Sequence, residues 1–88
     1  MGRSRRGTPL KLAGKLQTIR VGWLRLSQTE MAKALGLKVH YTAISHFELG
    51  TREPSLEVLL KYARIAGISM EVLVDDKLNL PDKSQRTL

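Results

Sequence analysis

The chain has no cysteine, few aromatic residues and no long apolar run. Without cysteine, its 88 residues cannot form disulfide bonds, cysteine-based zinc sites or iron–sulfur clusters. The longest uninterrupted apolar stretches, such as Val58-Leu59-Leu60, fall far short of the ~18 residues that a membrane-spanning helix needs. Aromatic residues are only 5 % of the chain, so a core has to come from its Leu, Ile, Val and Met residues. These absences predict one small cytoplasmic domain with an aliphatic core.

Acidic residues are scarce in the first part of the chain. Residues 1–52 contain ten Lys or Arg and two Glu, a net charge of +8. Residues 53–88 contain five Lys or Arg and six Asp or Glu, which gives −1 and leaves +7 overall. A positive surplus confined to one part of a chain predicts a polyanionic partner, with nucleic acid favoured. A membrane surface, or a simple contribution to solubility, remains an alternative.

Apolar residues at helical spacing divide the chain into short helices, and no segment alternates as a strand would. Thr8 and Pro9 predict the start of a first helix over about 9–23. Four further helices are predicted over about 28–35, 40–49, 55–66 and 70–74. The fold class is therefore all-α. The predicted organisation is a basic flexible arm at 1–8, one domain at 9–76 and a polar tail at 77–88.

Two of the predicted helices are joined by a tight turn. Ser27-Gln28-Thr29-Glu30 is a capping box, and Gly36 suits the residue after the second helix. The third helix buries Ile44 and Phe47 and turns hydrogen-bonding side chains outward: Tyr41, Thr42, Ser45 and His46. A helix of this kind fits the major groove of B-form DNA. A generic helical hairpin is the alternative.

The ordered motifs resemble the Cro/phage-repressor (XRE-type) helix-turn-helix family. They run from Ser27-Gln28 through Ile44-Ser45 and Glu48-Leu49-Gly50 to Arg52-Glu53-Pro54-Ser55. The resemblance covers about residues 9–74 and implies a five-helix, lambda-repressor-like domain. It implies a sequence-specific regulator of transcription, most simply a repressor, that binds double-stranded DNA with helix 40–49 in the major groove.

The resemblance also implies roles for individual residues. The base contacts would be Tyr41, Thr42, Ser45 and His46, and the phosphate contacts would be Gln28, His40, Thr51 and Arg52. Glu48 would pair with an arginine of the first helix, for which Arg20 is the candidate. Ile44 lies further from Gly36 than in the family pattern, so the recognition helix begins between Val39 and Thr42. Arg20 also lies one residue further before Ser27 than the family's arginine.

Several basic residues outside the recognition helix are candidate phosphate contacts. Arg3, Arg5 and Arg6 would let the arm follow phosphates or enter a minor groove, unless the arm is merely a disordered tail. Lys11, Lys15, Arg25 and Lys38 are further phosphate candidates, with simple solvation as the alternative.

Nothing in the sequence indicates an enzyme, a cofactor or a metal site. His40 and His46 lack a third ligand, no catalytic triad or phosphate-binding loop is present, and Asp75-Asp76 is interpreted as solvated charge.

One recognition helix reads few base pairs, so a homodimer on a pseudo-palindromic site is expected. The dimer candidates, which could equally close the core, are Ile68, Met70, Val74, Leu78 and Leu80. An alternative function is an antitoxin-like or adaptor module that also binds a protein partner. RNA binding is less favoured because exposed aromatic residues are few.

Overall fold

The computed structural model describes residues 10–36 and 40–81. Within these ranges it contains five α-helices and one π-helical segment, and no strand. The elements are α1 (Leu12–Gln17), the π segment (Thr18–Leu24), α2 (Gln28–Leu35), α3 (Tyr41–Leu49), α4 (Leu56–Ala66) and α5 (Met70–Val74). The all-α prediction is confirmed. Thr8 and Pro9, the predicted start of the first helix, lie outside the described residues.

The first helix is not α-helical throughout. The sequence predicts one α-helix over about 9–23, whereas α1 passes at Thr18 into the π segment. The segment ends at Arg25, which has a left-handed φ of 54°. The carbonyl of Arg20 accepts the backbone N–H groups of both Arg25 and Leu26. Because a π-turn holds more residues than an α-turn, it accommodates the additional residue between Arg20 and Ser27.

Three helices start at a serine whose hydroxyl accepts a backbone N–H. Ser27, Ser55 and Ser69 cap α2, α4 and α5 in this way. The capping box at α2 is complete: the Ser27 hydroxyl accepts from the N–H of Glu30 at 3.0 Å, and the Glu30 carboxylate accepts from the N–H of Ser27 at 2.8 Å. These local signals explain why the predicted starts of these helices agree with the structure.

The core lies where α1 and the π segment meet α2, α3 and α4. Its fully buried large side chains come from every helix: Leu16, Ile19, Met31, Leu35, Ile44, Tyr62 and Leu73. Phe47 is also buried, and Trp23 packs against the core while remaining partly exposed. The core is aliphatic apart from Phe47 and Tyr62, as the composition predicts.

Asp76 closes the N-terminal end of α1 from the far end of the fold. Its carboxylate oxygens accept the backbone N–H groups of Leu10 at 2.8 Å and Lys11 at 2.9 Å. These hydrogen bonds lower the pKa of the Asp76 carboxyl below its ordinary value. The interpretation of Asp76 as merely solvated charge is therefore wrong, because the carboxylate serves as a helix cap.

Lys15 makes the reciprocal contact at the C-terminal end of α5. Its Nζ donates to the carbonyls of Val72 at 2.8 Å and Asp75 at 3.0 Å, and the side chain is buried. Burial lowers the pKa of the Lys15 ammonium. Lys15 is therefore not a phosphate contact, since its ammonium is turned inward to the last carbonyls of a helix.

The C-terminal dimer candidates lie largely against this core. Packed against it are Ile68, Met70, Val74 and Leu80, while Leu78 is half-buried. Lys11 Nζ also donates to the side chain of Asn79 at 3.4 Å. The packed structure thus extends to Leu80, and residues 82–88 lie outside the described part. Among the described helices, none is long and apolar enough to cross a membrane.

Candidate nucleic-acid interface

The third helix separates apolar from polar side chains on opposite faces. Ala43, Ile44 and Phe47 are buried against α1 and α2. The opposite face carries the residues expected to contact bases, namely Tyr41, Thr42, Ser45 and His46. All of these are exposed except Ser45, which is half-buried. The structure thus brings the four candidates together on one solvent-facing surface.

His40 determines where α3 begins. Its Nδ1 accepts the backbone N–H of Thr42 at 3.3 Å and lies 3.0 Å from the Thr42 hydroxyl. The imidazole ring also lies beside the ring of Tyr41, with 4.7 Å between centroids. The helix therefore starts at Tyr41, within the predicted range of 39–42. Because Nδ1 serves as the helix cap, only the Nε2 edge of His40 remains for the expected phosphate contact.

The other end of α3 holds a second histidine contact. The Nδ1 of His46 lies 3.0 Å from the hydroxyl oxygen of Thr51, just beyond the helix. Thr51 also donates its backbone N–H to the His46 carbonyl at 3.1 Å. The side chain of Thr51, expected to contact phosphate, is therefore held against a residue expected to contact bases.

One residue on the exposed face was not among the sequence candidates. Leu49 is 71 % exposed and lies three positions after His46, so it continues the stripe that begins at Thr42. An apolar side chain there can contact a thymine methyl group. The i, i+4, i+7 spacing of Thr42, His46 and Leu49 was the available signal.

Arg52 and Gln28 lie at the two ends of the helix-turn-helix. The guanidinium of Arg52 is exposed and sits over the ring of Phe47, 5.9 Å from its centroid, which restricts where this cation can reach. Gln28 is the first residue of α2 and is half-buried, so its side chain lies next to the free N–H groups of that helix. Both positions suit contacts with phosphate.

The predicted partners Arg20 and Glu48 form a buried ion pair. The Nε of Arg20 donates to Oε2 of Glu48 at 2.6 Å, and Nη2 donates to Oε1 at 2.9 Å. Only 12 % of the Arg20 side chain and 4 % of the Glu48 side chain are exposed. The Glu48 hydrogen bonds raise the pKa of Arg20, and burial beside this pair raises the pKa of Tyr62. The pair fixes α3 to the π segment.

The remaining sequence candidates are not described by the structure. Lys38 lies in the turn before α3, and Arg3, Arg5 and Arg6 lie in the N-terminal segment, all outside residues 10–36 and 40–81. Arg25 and Lys11 are exposed, so both remain candidates for phosphate contact.

Comparison with known proteins identifies this arrangement. The model of the helix-turn-helix family of the Cro/C1 (XRE) type matches residues 16–73. No curated protein matches the chain by sequence. A solved structure that is similar is the P22 c2 repressor in complex with the synthetic operator 9T in the presence of Tl⁺. The similarity has a TM-score of 0.65 and 26 % identity, and covers 74 % of this chain and 94 % of that one. The chain belongs to the Cro/C1-type helix-turn-helix family of DNA-binding regulators.

Proposed function

We propose that the protein is a sequence-specific transcriptional repressor that binds double-stranded DNA in the cytoplasm. The observation that carries this proposal is the polar, solvent-facing side of α3, held in place by the buried pair of Arg20 and Glu48. A helix presenting hydrogen-bonding side chains on a rigid support can read base edges in the major groove. The operator complex of the P22 c2 repressor supports this proposal.

The proposed contacts divide by chemistry. Base edges are read by Tyr41, Thr42, Ser45 and His46, while Leu49 supplies an apolar contact. Phosphates are bound by Gln28 with the N-terminus of α2, by the Nε2 edge of His40 and by Arg52. The arm residues Arg3, Arg5 and Arg6, together with Lys38, are proposed to add phosphate contacts. The surplus of +8 in residues 1–52 favours association with a polyanion.

A homodimer is part of the proposal. Two copies would place two α3 helices in successive major grooves, ~34 Å apart, and so lengthen the site that is read. The proposed contact surface is the partly exposed side of the C-terminal residues, which are Ile68, Met70, Val74, Leu78 and Leu80. Repression would then follow from occupation of the DNA by the dimer.

Binding to labelled duplex DNA, measured by fluorescence anisotropy between 50 and 200 mM salt, tests the proposal (the salt range is the ~50–200 mM over which phosphate contacts respond most clearly). The observed association constant is expected to fall steeply and linearly with salt on a double-logarithmic plot. An association constant that does not change with salt would contradict phosphate binding by these cations.

A further inference from the structure

The His46–Thr51 contact at the end of α3 can be resolved into a donor and an acceptor. The Thr51 hydroxyl has one proton and two possible acceptors. One is Nδ1 of His46 at 3.0 Å, and the other is the backbone carbonyl of His46 at 3.3 Å. Which of them takes the proton decides whether Nδ1 accepts or donates.

The carbonyl of His46 is already occupied. It accepts the backbone N–H of Gly50, the residue that ends α3, and the backbone N–H of Thr51 at 3.1 Å. A carbonyl oxygen has two lone pairs, so a third donor at 3.3 Å forms a poor hydrogen bond. The shorter path to Nδ1 is therefore the better one for the Thr51 proton.

A nitrogen that accepts a hydrogen bond carries no proton. With Nδ1 as the acceptor, the neutral imidazole of His46 has its proton on Nε2. The His46 side chain is exposed on the proposed DNA face, so this N–H is available to a ligand. The neighbouring Ser45 can both donate and accept, whereas His46 in this form only donates.

We infer that Thr51 is a positioning residue that holds His46 in its Nε2–H form and so makes α3 select guanine at one operator position. In the major groove guanine offers two acceptors, N7 and O6, whereas cytosine presents the N4 amino donor. A histidine that only donates therefore favours guanine over cytosine. The base selection rests on the proposed function, whereas the state of the imidazole does not depend on it.

Nuclear magnetic resonance of the free protein tests the tautomer directly. Two-bond ¹H–¹⁵N spectra of the imidazole, recorded on the neutral ring, distinguish Nε2–H from Nδ1–H. The wild-type protein is expected to show Nε2–H. Thr51→Val keeps the backbone N–H and the shape but removes the hydroxyl, and is expected to populate both forms. Thr51→Ser retains the hydroxyl and is expected to restore the wild-type spectrum.

Duplex binding tests the consequence for base choice. In an operator obtained by selection, the guanine that His46→Ala ceases to distinguish is changed to cytosine. The wild-type protein and Thr51→Ser are expected to bind the guanine duplex about 3- to 10-fold more tightly, the value of one hydrogen bond. Thr51→Val is expected to lose most of that ratio while its affinity for random duplex stays unchanged.

Three results would overturn the inference. The first is an Nδ1–H spectrum in the wild-type protein, and the second is a Thr51→Val spectrum identical to that of wild type. The third is a guanine-to-cytosine ratio that His46→Ala leaves unchanged at every position. If no duplex is bound at all, the proposed function fails and takes the guanine selection with it, while the tautomer is still decided by the spectra.

Discussion

Arg20 grips both carboxylate oxygens of Glu48 and, with its remaining nitrogen, reaches the carbonyl of Leu26 at 2.9 Å. One side chain thereby connects the π segment, the entry to α2 and the last turn of α3. The contacts are nearly dry, with 4 % of Glu48 exposed. The direction in which α3 projects its polar face therefore depends on a single guanidinium.

Breaking this pair is expected to destabilise the fold strongly. Replacing Glu48 with Leu leaves the Arg20 cation buried without its partner, and Arg20→Met does the same to the carboxylate. Each single variant should lower the free energy of unfolding by ~3–5 kcal/mol, measured by urea denaturation. In the double variant no charge is left unpaired, so it should be more stable than either single one. Strict additivity of the two losses would contradict a direct coupling.

Arg52 and Ser45 are expected to affect DNA binding differently. Arg52→Gln removes a phosphate contact, so affinity should fall for the operator and for random duplex alike, and the salt slope should decrease by about 1. Ser45→Ala removes a contact with a base, so the operator should lose affinity while random duplex does not. Titrations of both variants on both duplexes provide each other's control, and equal losses for Ser45→Ala would remove it from base reading.

Asp76 is expected to make stability dependent on acid. Because hydrogen bonds from Leu10 and Lys11 hold its pKa below the ordinary value, the folded state binds this proton less readily than the unfolded state. The resulting stabilisation is complete above the ordinary pKa of an aspartate and disappears as pH falls through the lowered pKa.

Thermal unfolding of Asp76→Asn across pH measures this contribution. The variant should melt below the wild-type protein at neutral pH, and the two melting temperatures should converge in acid. Glu57→Gln is the control, since it removes an exposed acidic residue from α4 but no described long-range hydrogen bond. A constant difference between Asp76→Asn and wild type at every pH would show that the carboxylate charge is not responsible.

Two glycines on neighbouring helices should respond oppositely to alanine. Gly14 lies inside α1, and a Cβ there would meet nothing within 4 Å, so Gly14→Ala should stabilise by ~0.5–1 kcal/mol. Gly50 ends α3 with a φ of +78°, so Gly50→Ala should destabilise by ~1–2 kcal/mol through backbone strain. Chemical denaturation of the pair checks both signs, and a stabilising Gly50→Ala would exclude the left-handed conformation.

The parts of the fold that sequence predicts well are those with local causes. The serine caps of α2, α4 and α5 and the glycine after α3 lie within a few residues of the helices they delimit. The contacts of Asp76 and Lys15 span most of the chain, with sequence separations of 66 and 60 residues at the farthest. No local pattern distinguishes such residues from solvated charges.

The site shows the same division. The outward face of α3 follows from helical spacing, and the Arg20–Glu48 pair followed from the resemblance to a family. The π segment could not be anticipated, because its cause is a single additional residue before Ser27 whose accommodation depends on packing. The engagement of Thr51 by His46 depends on the chain's reversal at Gly50, which brings the two side chains together in space.

Selection of bound sequences from a random duplex pool tests the central claim most directly, because it asks whether this chain reads bases. The account predicts a short enriched motif that recurs as an inverted repeat, with half-site centres ~10 base pairs apart. Recovery of duplexes without any enriched motif, at an affinity that random DNA matches, would contradict sequence-specific recognition by α3.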